Sequence, residues 1–286
     1  MPAARHATLI GGHGFIGRRL HERLARDGWS LWRPRRDDPD LWRRDLGQVF
    51  YCAGLTADYA ERPAATVEAH ASLLGRVLED ARYESLVYLS STRLYDSLGG
   101  VEATETMPLR LDPDDPRHLF DLSKALGESL CRAAGRGRAR VARLSCVWSG
   151  ASDDSGFLST LIRDALARRA AADPALRQRL QVNSSPRLER DYVHIDDVLA
   201  ALVSLAGHAG FGIYNVAGGR NVANDELFDV IGAASGCDVI ATGSRTPPSL
   251  PRISIERMAA TFGWAPAATL DQVRRIVAEE ASCSSS

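Results

Sequence analysis

The sequence predicts an α/β fold built on a doubly wound parallel sheet, with a smaller C-terminal domain. Short apolar runs alternate with helical patterns through the first two-thirds of the 286 residues, which is typical of parallel strands joined by crossover helices. These runs show little polar alternation, as strands covered on both faces should. A glycine-rich segment, GGHGFIG, follows the first run directly and opens a helix. Together these features indicate an open sheet with a ligand site beyond its first strand.

The elements follow one another in a regular order. ATLIGG predicts the first strand, and FIGRRLHERLARDG predicts an amphipathic helix that ends at Gly28. WSLWR and QVFYCAG predict two more strands, and a helix over 62–82 leads to the strand SLVYLSS. A long helix over about 116–135 precedes the strand ARVARLSCVW. We therefore expect one domain from residues 1–150 plus about 188–216, and a substrate domain from 151–187 and 217–286.

One strand–helix unit of the sheet is predicted to be truncated. Only 12 residues separate Arg36 from Val49, too few for a strand and a full crossover helix. We expect a short helix over 38–46 and no strand between Asp37 and Gln48.

Composition excludes some classes of partner. The formal net charge of −1 gives no general reason to expect a nucleic acid or an anionic membrane as partner. No apolar run approaches the roughly 20 residues of a membrane span. The five cysteines include no C-x-x-C pair, so we expect reduced thiols, no metal site and a cytoplasmic protein. A small molecule remains as the expected partner.

The glycine segment predicts a Rossmann-type dinucleotide site. Gly11 permits a tight turn, Gly14 lets a pyrophosphate approach the backbone, and Gly17 allows close packing of helix on strand. The helix then begins with Phe15 and Ile16, whose free N–H groups and positive dipole suit phosphates. Ala53 and Gly54, at the end of the third strand, complete the predicted lining.

The spacing of these glycines resembles the short-chain dehydrogenase/reductase family, and within it the extended branch of nucleotide-sugar epimerases and dehydratases. YLSSTRLYD is similar to that branch's S-S-x-x-x-Y-G strand end, and FDLSKALGE to its Y-x-x-S-K-x-x-x-E helix. RDYVHIDDVLAAL, YNVAGG and FGWAP are similar to its later landmarks. The resemblance therefore covers nearly the whole chain, and it implies a homodimer through the helices over 62–82 and 116–135.

The resemblance also implies roles for single residues. Ser91 falls on the catalytic serine or threonine that hydrogen-bonds the substrate oxygen. Lys124 falls on the lysine that holds the nicotinamide ribose, and it is the only lysine among 35 Lys and Arg residues, which independently favours a requirement for a compact cation. Phe120, however, falls on the catalytic tyrosine and has no titratable group. His70 falls on a family asparagine.

The residues after the second strand favour NADP over NAD. Where NAD-preferring members carry an acidic residue, this chain has Arg35 followed by Arg36. Two guanidinium groups suit a 2′-phosphate. A solvated basic turn is the alternative.

The substrate pocket is predicted to be only partly that of a nucleotide-sugar enzyme. The Asp-Glu pair of sugar 4,6-dehydratases is replaced by Thr92 and Arg93, so dehydration by that route is disfavoured. Cys146 stands where the family has a substrate-contacting asparagine. Arg190 matches an arginine that often contacts a nucleotide diphosphate, and Arg245 is predicted as a second.

Three functions remain open after the sequence analysis. The first is an oxidoreductase or epimerase on a nucleotide sugar, sugar-derived or secondary-metabolite substrate, with its proton supplied by another group such as His70, which titrates near neutrality. The second is a cofactor-binding protein without turnover, acting as a sensor or partner subunit. The third is a non-redox enzyme with a structural cofactor.

Overall fold

The main sheet of the protein has six parallel strands. The computed structural model describes residues 5–153, 156–170 and 179–283. Its strands are β1 (His6–Ile10), β2 (Ser30–Trp32), β3 (Gln48–Tyr51), β4 (Ser85–Ser91), β5 (Glu102–Ala103), β6 (Ala139–Leu144), β7 (Cys146–Trp148), β8 (Arg179–Val182), β9 (Glu189–His194), β10 (Gly212–Val216), β11 (Asn221–Ala223), β12 (Asp238–Ala241) and β13 (Arg252–Ile253). The order across the sheet is β10-β6-β4-β3-β1-β2, parallel throughout. The predicted fold class is confirmed.

Helices cover both faces of this sheet. They are α1 (Phe15–Arg26), α2 (Pro63–Val67), α3 (Leu73–Asp80), α4 (His118–Ala134), α5 (Phe157–Ala170), α6 (Ile195–Ala206), α7 (Asn224–Ser235), α8 (Glu256–Phe262) and α9 (Thr269–Cys283). Val87 of β4 lies in one apolar cluster with α1 and α6, whereas its neighbour Leu86 lies in another with α3 and α4. Alternate strand residues are thus buried on opposite faces, which explains the continuous apolar runs.

The predicted truncation of one unit is confirmed. Within residues 5–153 no strand lies between Asp37 and Gln48, and a 3₁₀ helix over Pro39–Trp42 crosses from β2 to β3. The side chain of Asp38 caps this helix by accepting the N–H of Asp40, as a helix N-cap should. Because β3 lies on the other side of β1 from β2, the short connection passes the carboxyl end of β1.

The run ARVARLSCVW forms two strands, where one was predicted. It breaks at Ser145: β6 stays in the main sheet, and β7 pairs with β9 in a separate three-stranded sheet. The arginines of β6 are buried but paired. Arg140 donates to the carbonyls of Leu205 and Ala206 at the end of α6, which satisfies groups that a helix leaves open at its C-terminus.

A further apolar cluster forms between β7, α5, α7 and α9, with Trp148, Ile162, Leu227 and Val277 among its members. The division into a cofactor domain and a substrate domain stays a prediction. Within the two predicted domains, residues 1–4, 154–155, 171–178 and 284–286 lie outside the described part of the chain. No helix in the described ranges is long and apolar enough to cross a membrane.

Candidate functional site

The turn between β1 and α1 requires its glycines. Gly11 has φ +77°, and a Cβ on it would lie 2.5 Å from the backbone nitrogen of Ala53. A Cβ on Gly17 would lie 2.6 Å from the Cα of Gly12. Both contacts are shorter than carbon or nitrogen atoms tolerate, so side chains at these positions would force the turn away from β3 and α1 away from the turn.

Gly14, in contrast, faces open space. A Cβ there would meet only the carbonyl oxygen of Gly11, at 3.5 Å. Gly14 is the N-cap residue of α1, and the first three N–H groups of that helix, from Phe15, Ile16 and Gly17, have no acceptor within the helix. Free donors, a positive helix end and an open approach together fit a pyrophosphate.

Substitutions at Gly14 and Gly17 should therefore have opposite effects. We expect Gly14→Ala to fold like the parent but to bind a dinucleotide at least ~10-fold more weakly, because the methyl group occupies the side from which phosphate approaches. Gly17→Ala should instead lower the Tm by several degrees, since the backbone of Gly12 cannot yield easily. Calorimetric titration and thermal unfolding of both variants check this. A Gly14→Ala variant with parental affinity would contradict the phosphate site.

A cavity of about 560 Å³ opens beside this turn. Its lining includes six residues that the sequence predicted for the cofactor, namely Gly11, Gly14, Arg35, Arg36, Ala53 and Gly54. The sequence analysis missed the other wall, where Asp38, Leu41 and Trp42 of the 3₁₀ segment face Arg76 of α3. The Asp-Pro pair that starts this segment was the available signal. The side chains of Phe15 and Ile16 pack on the apolar core instead, so only their backbone serves the site.

Lys124 is buried at the border of this cavity. Its Nζ donates to the carbonyl oxygen of Leu89 at 2.8 Å and lies 5.0 Å from the ring centre of Tyr88. A Cβ on Gly54 would lie 3.3 Å from Nζ, so the amine sits directly behind the strand end that lines the cavity. Burial lowers the pKa of Lys124 to about 7.

His70 does not fit the role of proton donor. The N–H of Leu55 donates to its Nε2 at 3.2 Å. Its Nδ1 lies 2.8 Å from the Oγ of Ser123, and because that hydroxyl donates to the carbonyl of Phe120, Nδ1 must carry the hydrogen. Burial and then Lys124 lower the pKa of His70 to about 3. A neutral ring with both nitrogens engaged positions α4 against the loop after β3.

Phe120 lies at the centre of an aromatic and cationic cluster. It is one helical turn before Lys124 on α4, and both side chains are buried. His70 packs edge-on against its ring at 5.2 Å, and Tyr59 does so at 5.6 Å. The guanidinium carbon of Arg93 lies 5.0 Å from the ring centre. The position at which the sequence resemblance predicts a tyrosine therefore holds a closely surrounded apolar ring.

A second cavity, of about 390 Å³, adjoins the first. Leu55 lines the first and Thr56 the second. Of the predicted substrate residues, Ser91, Phe120, Cys146 and Arg190 line it. The Oγ of Ser91 accepts the N–H of Arg93, which leaves its hydroxyl hydrogen to donate to a ligand.

The remaining predicted substrate residues differ in their positions. Arg190 lies 3.8 Å from the carboxylate of Asp96, which shares the cavity wall. Burial raises the pKa of Cys146 to about 11, so it presents a neutral thiol. Arg245 is exposed and lines neither cavity. The structure therefore does not support Arg245 as a substrate residue.

Arg93 is a candidate binding residue that the sequence analysis missed, because it treated Arg93 only as the replacement of an acidic residue. Its Nη2 donates to the hydroxyl of Tyr59 at 2.9 Å and to the carbonyl of Arg117 at 2.7 Å. Its Nε lies 3.3 Å from a carboxylate oxygen of Asp121, whose pKa burial raises to about 6. The available signal in the sequence was a charged residue two positions after a buried strand.

Metal ligation finds no support in the described ranges, since they contain no group of three or more His, Cys, Asp or Glu residues placed to hold an ion.

Comparison with known proteins identifies the family and the fold. The model of the NAD dependent epimerase/dehydratase family matches residues 7–217. No curated protein matches the sequence. Among solved structures, RMD from Pseudomonas aeruginosa complexed with NADPH has a TM-score of 0.79 at 24% identity, over 98% of this chain and 100% of that one.

Two further solved structures have the same fold. MoeE5 in complex with UDP-glucose and NAD has a TM-score of 0.79 at 20% identity, over 98% of this chain and 100% of its own. The UDP-glucose 4-epimerase of Thermus thermophilus, in complex with NAD, has a TM-score of 0.70 at 22% identity, over 95% of this chain and 97% of its own.

Proposed function

The chain belongs to the NAD dependent epimerase/dehydratase family, and we propose that it is an NADP-dependent oxidoreductase or epimerase with an atypical acid/base group. Its proposed substrate is a nucleotide sugar or a sugar-derived or secondary metabolite. One observation carries this proposal: Ser91 and Phe120 line a cavity that adjoins the dinucleotide cavity, and Lys124 borders the latter from behind. The chain thus has Ser91 and Lys124 at the two other positions to which the resemblance assigns a catalytic role.

The residues of the first cavity fit a dinucleotide. When bound, the cofactor supplies or accepts a hydride. The N–H groups at the start of α1 would hold its pyrophosphate, and the free ammonium hydrogens of Lys124 would hold its nicotinamide ribose. Arg35 and Arg36 would hold a 2′-phosphate. The relatives of known structure support either form, because the RMD structure contains NADPH and the two others contain NAD.

The preference for NADP is testable at the two arginines. We expect the parent to bind NADPH at least ~10-fold more tightly than NADH, and Arg35→Ala or Arg36→Ala to remove most of that preference, because a charge-assisted pair with phosphate is lost. Arg43→Ala is the matched control, since Arg43 is exposed and lies outside the cavity lining. Dissociation constants from fluorescence titration decide the question. Tighter binding of NADH by the parent would overturn the assignment.

Within the second cavity, Ser91 would orient the substrate. Its hydroxyl is free to donate to a carbonyl or hydroxyl oxygen. Without a titratable group at Phe120, the proton must come from another group or from water, and loss of a positioned acid/base typically costs ~10²–10⁴-fold in rate. We therefore propose a slow enzyme.

A cofactor-binding protein without turnover, either a sensor or a partner subunit, is the second candidate. The state of His70 favours this second candidate. His70 was the residue expected to supply the proton in place of a tyrosine, and its buried, neutral ring has both nitrogens engaged. A non-redox enzyme with a structural cofactor is a variant of this candidate. Consumption of NADPH separates the two functions.

The homodimer through the helices predicted over 62–82 and 116–135 also stays a proposal. The exposed apolar side chain of Leu126 on α4, with 49% of its surface accessible, supports it.

A further inference from the structure

The guanidinium of Arg93 is held rigidly at the wall of the substrate cavity. Its carbon lies 4.8 Å from the ring centre of Tyr59 and 5.0 Å from that of Phe120, distances at which aromatic faces attract a cation. Asp121 flanks its Nε. An arginine side chain is otherwise flexible along its whole length, and these contacts remove most of that freedom before any ligand arrives.

Part of this guanidinium is left without an acceptor. Both hydrogens of Nη2 are taken, by the hydroxyl of Tyr59 and the carbonyl of Arg117, and Nε faces Asp121. The two hydrogens of Nη1 have no acceptor among residues 5–153, 156–170 and 179–283. Arg93 lines the cavity together with Ser91, and its side chain is 30% exposed. A residue of the cavity wall therefore carries a fixed pair of N–H donors that no described residue accepts.

The positive charge of the site is concentrated in arginine. Lys124 is buried, and its charged form is disfavoured near neutral pH. The cavity wall carries two guanidinium groups, from Arg93 and Arg190, and Asp96 is the acidic residue in its described lining. Arg190 lies 3.8 Å from Asp96 and Arg93 lies 3.3 Å from Asp121, so each guanidinium has a carboxylate neighbour. Arg93 differs in being held between two aromatic rings, which leaves its Nη1 as a fixed donor for a charged oxygen of a ligand. N⁺–H···O⁻ bonds are about twice as strong as neutral ones.

We propose that Arg93 is a substrate-binding residue whose Nη1 edge holds a carboxylate of the substrate, so that the cavity takes an acidic sugar in preference to a neutral one. This proposal rests on the proposed function, in which the second cavity holds the sugar. It also gives Phe120 a role, because its apolar ring is one of the two faces that hold the guanidinium in place.

The test compares two probes that differ in one group. UDP-glucuronate carries a carboxylate where UDP-glucose carries a hydroxymethyl group, and their affinities for the NADPH-loaded protein are measured by calorimetry without turnover. The variants are Arg93→Gln and, as matched control, Arg117→Gln. The side chain of Arg117 is 75% exposed and pairs with Asp115, whereas its backbone carbonyl, which Arg93 uses, is unchanged by the substitution.

We expect the parent and Arg117→Gln to bind UDP-glucuronate at least ~10-fold more tightly than UDP-glucose, and Arg93→Gln to bind both equally. Should Arg93→Gln fail to fold, Arg93→Lys is expected to keep only part of the preference, because an ammonium lacks the planar fork. Three outcomes would each overturn the carboxylate proposal alone. The parent could bind the two probes equally, Arg93→Gln could keep the preference for UDP-glucuronate, or a parent that binds NADPH could bind neither probe. Failure of the parent to bind NADPH would overturn the proposed function with it.

Discussion

Lys124→Met is expected to stabilise the fold while it abolishes tight cofactor binding. Burial holds the pKa of Lys124 at about 7, against 10.5 for a free lysine. Between these two pH values the unfolded chain carries a proton that the folded chain has lost, so the parent gains stability as the pH rises from 7 to 10.5. At pH 7 and below, the folded protein bears nearly the full cost. At about 1.4 kcal/mol per pKa unit, methionine should raise the free energy of unfolding at pH 7 by ~2–4 kcal/mol.

Denaturant unfolding of the parent and Lys124→Met at several pH values checks this. The advantage of methionine should shrink as the pH rises and vanish near 10.5, where the lysine is neutral in both states. Arg132→Met, which removes an exposed cation from the same helix, should show no such pH dependence. A Lys124→Met variant that is less stable than the parent at pH 7 would contradict the stability cost assigned to burial of this amine.

The expected loss of cofactor binding is tested by measuring the NADPH affinity of Lys124→Met and of Lys124→Arg. A guanidinium is larger than an ammonium, and the space around Nζ is bounded by Gly54, Leu89 and Tyr88. We expect at least ~10-fold weaker NADPH binding for either substitution. Unchanged affinity in Lys124→Arg would mean that the lone lysine has no special role.

Phe120→Tyr is expected to raise NADP-linked oxidation of a bound alcohol by at least ~10-fold, because it restores a positioned acid/base group. The change adds one oxygen to a ring that already fits. The guanidinium carbon of Arg93 lies 5.0 Å from the ring centre, and a nearby cation favours the ionised phenol and lowers its pKa. Cofactor affinity should stay within a few-fold of the parent, because Phe120 does not line the dinucleotide cavity.

Steady-state rates and NADPH titrations of the parent, Phe120→Tyr and Phe120→Leu measure this effect. The leucine variant removes the ring without adding a hydroxyl, so it should not gain rate. If Phe120→Tyr folds and binds cofactor but loses an activity that the parent has, the apolar ring belongs to a different mechanism.

Local sequence was sufficient to predict the fold and the glycine turn that lines the first cavity. Gly11 and Gly17 are dictated by contacts with their own turn and the next strand, and such contacts recur wherever a strand, a tight turn and a helix follow one another. The missing unit followed from the 12 residues between Arg36 and Val49, because chain length alone limits what can cross a sheet.

The arrangement of the second cavity could not be predicted because it depends on contacts between distant segments. Arg93 meets Tyr59 from the loop after β3 and Asp121 from α4, and no spacing in the sequence reports that meeting. The neutral state of His70 depends on Leu55 and Ser123, which are likewise remote. Arg245 was predicted only as a second arginine beside Arg190, and the fold leaves it exposed.

The most direct test of the proposed function is whether the parent protein changes the redox state of its cofactor. NADPH-loaded protein is mixed with a panel of UDP-linked 4-keto sugars, acidic and neutral, in single-turnover amounts, and the nicotinamide absorbance is followed. The account predicts a slow, stoichiometric loss of reduced cofactor in the parent with at least one acidic member, and a faster loss in Phe120→Tyr. Tight NADPH binding with unchanged absorbance in both proteins would contradict it and favour a sensor or partner subunit.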